Sequence, residues 1–313
     1  ASVFYVHGSS YPGRLYGIGV YITLGVRPVI SLKSDVLYKT GDGSANSPYE
    51  ILETPDTISD VVKANAVNEN GYRYEGSDPN NYIQMQKSDG TTELWRIIGL
   101  FPDGENGENV IRVRKVGYER AEYNYYSENH WPNTTLYTSL KDSYSLTNYK
   151  NTVNYKMHLG TSSSYTSLTA DEWYTAEREN MPGAASKASY NSTTTFNGGV
   201  GLMYPSDYGY AVLAINCART INTFAYTSEC KNNNWLYQGN STFQWLISPS
   251  SSRTSYEFVV DSRGQVISEG ADDEGYVSLR TGSFSPVMAL KADVEVTGSG
   301  TQSDPYIMKW RII

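Results

Sequence analysis

The chain has 313 residues, 39% apolar, 19% charged and 13% aromatic, with 27 Gly and 12 Pro. That is too polar for a membrane bundle and too aromatic for a disordered tail. Its longest weakly polar run, residues 16–26, is far short of the roughly 20 residues a bilayer-spanning helix needs. Thirty-three carboxylates against 25 basic side chains give a net charge of −8, which repels phosphate backbones and argues against nucleic acid as a partner.

Opening on Ala1 without a leader, the chain reads as a processed product or a fragment. Val3-Phe4-Tyr5-Val6 predicts a strand, echoed by Glu257-Phe258-Val259-Val260. Residues 26–36 (VRPVISLKSDV) return as residues 284–294 (FSPVMALKADV). Each copy runs into a glycine turn and a Pro-Tyr element: Thr40-Gly41 to Pro48-Tyr49, then Thr297-Gly298 to Pro305-Tyr306. Residues 1–51 therefore read as the closing portion of a repeat unit whose complete version is residues 52–313. A segment holding only the end of a domain cannot bury enough surface to stand alone. It either finishes an upstream unit or docks on another chain, which implies units in series; the alternative is two similar subdomains packed together.

Within the complete unit, Thr54-Pro55-Asp56 before Ile58, Val61 and Val62 predicts a short helix with Pro at its first position. Residues 94–101 and 110–113 are β-rich and flank the Asp103-Gly104-Glu105-Asn106-Gly107 turn, which predicts a hairpin. Leu136, Leu140 and Tyr144 mark a helix near 134–146, and the capping box Thr169-Ala170-Asp171-Glu172 opens another near 170–179. Short elements follow at 201–204 and 206–211, then a strand at 243–247 and two or three more. The expected fold class is α+β, irregular, strand-poor and loop-rich, with the two ends of the unit paired. Cys217 and Cys230, in an Asn/Ser/Thr-rich setting, suggest a disulfide formed in an oxidising compartment.

Five motifs carry a resemblance: Leu94-Trp95-Arg96-Ile97-Ile98-Gly99; Gly201-Leu202-Met203-Tyr204 with Tyr208-Gly209-Tyr210-Ala211; Cys230-Lys231-Asn232-Asn233-Asn234-Trp235; Gln244-Trp245-Leu246-Ile247-Ser248-Pro249; and the closing Gly300 to Tyr306. Together they resemble a family of exported proteins from low-GC Gram-positive bacteria. Its domain is similar to the C-type-lectin-like fold of formylglycine-generating enzymes and retroelement variable proteins. The likeness spans residues 52–313, and its tail recurs in 1–51. It implies a hypervariable, ligand-facing segment over residues 250–283, with Phe258, Val260, Val266 and Val277 as buried ribs. The implied ligand-binding residues are Arg253, Tyr256, Asp261, Arg263, Asp272, Tyr276 and Arg280, beside Asp273 and Glu274.

The sequence departs from the enzymatic relatives. Cys217 and Cys230 do not map onto the copper-binding cysteines of formylglycine-generating enzymes, and the Glu-Pro-Asn calcium-lectin signature is absent. No Gly-x-Ser-x-Gly elbow, phosphate loop or His-Glu-x-x-His occurs, and His7, His130 and His158 stand apart in sequence. Asp272-Asp273-Glu274 and Glu93, Glu105 and Glu108 are weak cation candidates. The crowded tyrosines, Tyr118 to Tyr155, read mainly as core of a loop-rich domain, with some serving interfaces. The expectation is a non-enzymatic extracellular or cell-surface protein, structural or adhesive, without cofactor or metal. Its partners would be other copies or tandem units, or a host or cell-surface protein or glycan. The alternatives are a monomeric ligand-display protein, or a formylglycine-generating-like or carbohydrate-active enzyme.

Overall fold

The computed structural model describes residues 2–7, 10, 12–25, 29, 31, 38–51, 56–125, 128–160, 168–178, 195–226, 228–239, 242–268 and 281–309. The chain divides into two compact units, Ala1–Thr54 and Pro55–Ile313.

The first unit holds two hairpins. Strand β1 (Ser2–Val6) runs antiparallel to β2 (Leu15–Gly19), with Val3 opposite Ile18 and Val6 opposite Leu15. The His7 N–H donates to the Arg14 carbonyl at 2.8 Å and closes the turn. Strands β3 (Tyr38–Thr40) and β4 (Glu50–Ile51) pair with Thr40 opposite Glu50, Tyr38 opposite Ile51 and a register shift between the two.

The second unit opens with helix α1 (Ile58–Asn65), which buries Ile58 and Val62. The sequence placed Pro55 at the first helical position; the start is instead set by Thr57, whose hydroxyl accepts from the Asp60 N–H while Asp60 accepts from the Thr57 N–H. Strands β5 (Val67–Asn68), β6 (Tyr72–Arg73), β7 (Tyr82–Gln86), β8 (Thr92–Phe101) and β9 (Val110–Lys115) follow. The expected hairpin at 103–107 joins β8 to β9, with a bulge between Ile97 and Gly99.

After β10 (Glu119–Ala121) come α2 (Thr135–Ser143), β11 (Thr152–Val153), β12 (Tyr155–His158) and α3 (Ala170–Arg178). Helix α3 opens on the expected Thr169–Glu172 capping box. Next are β13 (Thr195–Gly198), β14 (Val200–Gly201), α4 (Pro205–Tyr210) and α5 (Ser228–Asn232). The closing strands are β15 (Gln244–Pro249), β16 (Glu257–Val260), β17 (Val266–Ile267), β18 (Gly282–Phe284), β19 (Val287–Lys291), β20 (Val296–Thr297) and β21 (Tyr306–Met308).

These strands build a ten-stranded sheet with the central order β11-β19-β9-β8-β7-β21-β20 and a five-stranded sheet, β10-β18-β15-β16-β17. The protein is mixed α+β with few helices and many strands, so the strand-poor expectation fails. Most strands are two to six residues long and sit between Ser/Thr/Tyr-rich loops, too short to show a period of two. The paired ends of the unit are present: Ile58 N–H donates to Val294 O at 2.8 Å, and Val296 N–H to Asp56 O at 3.0 Å. The core centres on Trp95, Trp131, Trp173 and Trp245, all buried. Truncating any one of them to Ala costs about 3–5 kcal/mol by the usual behaviour of large core side chains. Tyr123, Tyr144, Tyr149 and Tyr155 are core residues, as read from the sequence, while Tyr118 and Tyr125 are exposed.

The internal repeat is one of geometry as well as sequence. Hairpin β16–β17 resembles β1–β2 with a turn three residues shorter: Asp261 N–H donates to Gln265 O at 2.8 Å, as His7 does to Arg14, and Gly264 and Gly13, each just before the acceptor, both take positive φ. Hairpin β20–β21 reproduces β3–β4, with Thr297 opposite Ile307 where Thr40 faces Glu50. Gly41 (φ 104°) and Gly298 (φ 99°) occupy one position in the two copies. In each, a Cβ would overlap a proline carbonyl, that of Pro48 or Pro305, so only glycine fits.

Candidate functional site

Four of the residues expected to face a ligand, Arg253, Tyr256, Asp261 and Arg263, are among the described residues and flank β16. Arg253 and Tyr256 precede β16, and Asp261 and Arg263 follow it, so the four-residue strand separates the two groups by roughly 13 Å at the usual rise per residue. Arg253 lies over the Tyr256 ring, 5.3 Å from its centroid. Asp261 is buried and holds the β16–β17 turn. Its carboxylate accepts from the Arg263 and Gln265 N–H groups at 2.9 and 2.8 Å and from Arg263 Nε at 2.7 Å. A carboxylate so engaged shapes the turn and leaves Arg263 as the group presented outward. Phe258, Val260 and Val266 are buried ribs as expected. Asp272, Asp273, Glu274, Tyr276, Val277 and Arg280 lie outside the described residues.

Cys217 and Cys230 form the expected disulfide. It lines a cleft of about 360 Å³ that shares Ala218 and Arg219 with a neighbouring cleft of about 380 Å³. Glu69, Asn70, Thr169, Asp171 and Tyr210 complete the second cleft. Sequence reasoning missed it, because its walls come from the β5–β6 turn, the start of α3, the end of α4 and the segment after Cys217. Asn70 (φ 50°) and Arg219 (φ 58°) are both left-handed there, a conformation that non-glycine residues hold only when their surroundings fix it. The fixing contacts are present. Arg219 binds Glu69, reaches Glu75 at 2.5 Å and donates to Val212 O at 2.9 Å. Asn70 Nδ2 donates to Asp171 Oδ1 at 2.7 Å and to the Tyr210 hydroxyl at 2.9 Å. Burial pushes the Glu75 carboxyl and the Tyr210 hydroxyl above their ordinary ranges. The polar groups of the cleft bind one another, which makes it a clasp between loops.

No protein-family model matches the chain, and neither a curated protein nor a solved structure matches it significantly.

The largest concentration of charge lies in the core. Asp207, capping α4, accepts from Arg73 at 2.7 Å and from Arg112 at 2.7 and 3.0 Å. Asp103 accepts from Arg178 at 3.2 Å, with His158 Nε2 at 3.4 Å and Arg112 Nε at 3.5 Å. Glu177 accepts from the Ser206 N–H at 2.8 Å and from its hydroxyl at 2.5 Å. Burial raises the Glu177 carboxyl from 4.5 to about 7 and lowers the His158 imidazole. Burial alone would raise Asp207 as well, but the two arginine charges prevail and hold it below the usual carboxylate range. Three arginines thus face three carboxylates in a hub that ties β6, β9, α3 and α4 together. Among the described residues, no three His, Cys, Asp or Glu side chains are placed to hold a metal ion. Glu93, one of the cation candidates, is taken by Lys87 at 2.6 Å and the Tyr149 hydroxyl at 2.7 Å, and Glu108 accepts from the Asn106 N–H at 2.9 Å.

Proposed function

We propose that this chain is an exported, non-enzymatic structural or adhesive surface protein, built from C-type-lectin-like units in series within a fibre or pilus-like appendage. One observation carries the reading: unit 1 repeats the closing hairpins of unit 2, yet the apolar positions that unit 2 buries are exposed in unit 1. Val3, Phe4, Val6, Leu15, Val20 and Tyr21 are all exposed, and Phe4, Val6 and Leu15 share one face of the β1–β2 hairpin, as apolar side chains kept for association do. The disulfide suits an oxidising location, and among the described residues no helix is long and apolar enough to cross a membrane. Both cysteines are consumed by that bond, which leaves no thiol for copper-dependent formylglycine chemistry.

Electron microscopy of the native particle tests the proposal. Filaments with a repeat of one unit are expected, and solitary globules overturn it. A monomeric ligand-display protein is the second reading, favoured by Arg263: its side chain is more than half exposed while Asp261 anchors the turn from beneath. That arrangement lets an outward residue change without disturbing the fold.

A further inference from the structure

In unit 2 each repeated element is finished by a neighbouring strand. Strand β16 lies against β15, with Trp245 opposite Val259. Strand β19 lies against β9, with Val287 opposite Arg114. Strand β21 lies parallel to β7, with Tyr306 opposite Ile83, and the Tyr82 N–H donates to Gly300 O at 2.8 Å. At the corresponding positions of unit 1, Phe4 is 77% exposed where Phe258 is 0%, Val29 is 93% where Val287 is 0%, and Tyr49 is 57% where Tyr306 is 4%. Among the described residues, both hairpins of unit 1 are two-stranded sheets. Unit 1 therefore carries the residues and register of a closing segment without the strands that such a segment closes.

We propose that unit 1 docks by strand addition onto an acceptor body of the same kind as residues 55–256, standing in series ahead of it. The counterpart of β15 in that body pairs with β1, and the counterpart of β7 lies parallel to β4. This rests on the serial-unit reading and adds how the units join: each completes its neighbour's sheets instead of abutting a finished surface. The chain's own β7 and β15 already have both partners, β7 between β8 and β21, and β15 between β16 and β18. The committed occupant follows from the repeat itself. A segment that repeats the sequence around β19 and the turn and pairing of β20–β21 is complementary to whatever covers those elements.

The test uses the 313-residue protein extended by a second copy of its own residues 55–256 joined ahead of Val3, so that Val3 takes the place Glu257 has in unit 2. Hydrogen exchange is followed by mass spectrometry over residues 3–6 and 38–51. The amides of these segments are expected to slow at least a hundredfold relative to the unextended protein, and F4D and Y49D in unit 1 to abolish the gain. Unchanged exchange in these segments, with the original unit 2 still protected, overturns the proposal. An added copy that stays unfolded does the same, since unit 1 is claimed to complete it. Protection that survives both substitutions overturns the assignment of these edges. Concentration-dependent protection in the unextended protein gives the surface to a second copy of the chain, and also overturns it. Failure here is separable from failure of the appendage reading: native filaments without gained protection overturn the joint alone, and gained protection with solitary native particles overturns the appendage alone.

Discussion

Glu177 and Asp207 show how burial and charge compete at single residues. Both are buried carboxylates near arginines. Asp207 accepts from two guanidinium groups and is held low, whereas Glu177 has one guanidinium and Ser206 and is raised to about 7. The sign of the pH dependence follows. A carboxyl raised on folding contributes stability that is present in full below its ordinary value of 4.5 and is lost as the pH climbs to about 7. Glu177→Gln is therefore expected to flatten the stability profile between those limits, removing a slope on the order of 3 kcal/mol. Urea unfolding at a series of pH values reads this directly; a mutant that keeps the wild-type slope contradicts it. Asp207 has the opposite sign, its contribution disappearing as the pH falls below 3.8. Replacing Arg112 by Met leaves Asp207 with Arg73 alone and is expected to cost about 3–5 kcal/mol, the usual penalty for breaking a buried pair from one side.

At the scale of elements, the disulfide and the repeated glycine turn can each be tested by substitution. Cys217 and Cys230 lie 13 residues apart, and closing so short a loop stabilises the fold by about 3 kcal/mol in the chain-entropy view. The double change to Ser is expected to lower unfolding free energy by that amount, and reductant should produce the same loss in the parent protein but none in the mutant. Gly298→Ala forces a Cβ into the Pro305 carbonyl at a left-handed position and is expected to cost more than about 1 kcal/mol in thermal unfolding of unit 2. The elements legible in the sequence are those whose signals are local. Turn 103–107, the Thr169–Glu172 cap and the Leu136/Leu140 stripe are each set within a few residues, and all three are where they were expected. The clasp and the charge hub were not legible. Arg219 meets Glu69 across 150 positions, and Arg73 and Arg112 meet Asp207 across 134 and 95. No periodicity or short motif links residues so distant; they meet because α3, α4 and the sheet bring them to one place. Strands of two or three residues were missed for the opposite reason, since pairing from outside, and not their own sequence, makes them strands.

The two units differ in how their folds are supported. Among the described residues, unit 2 buries five tryptophans and a continuous apolar core beneath sheets of ten and five strands. Among the described residues, unit 1 has two two-stranded sheets, and a two-stranded hairpin is marginal in water without a third strand or a packed face. Local opening should follow the same division, because amides exchange through the least costly opening available to them. In the 313-residue protein at low concentration, β1–β2 and β3–β4 are expected to exchange orders of magnitude faster than β8 and β9. Unit 1 is also expected to be cleaved by protease under conditions that leave unit 2 intact. Hairpins β3–β4 and β20–β21 make the comparison an internal control: Thr40 opposite Glu50 and Thr297 opposite Ile307 close turns of one length, so a difference in their protection measures what the covering strands contribute. Equal protection of the two hairpins at high dilution would mean that unit 1 is stabilised by its own residues, and the need for a neighbour would disappear with it.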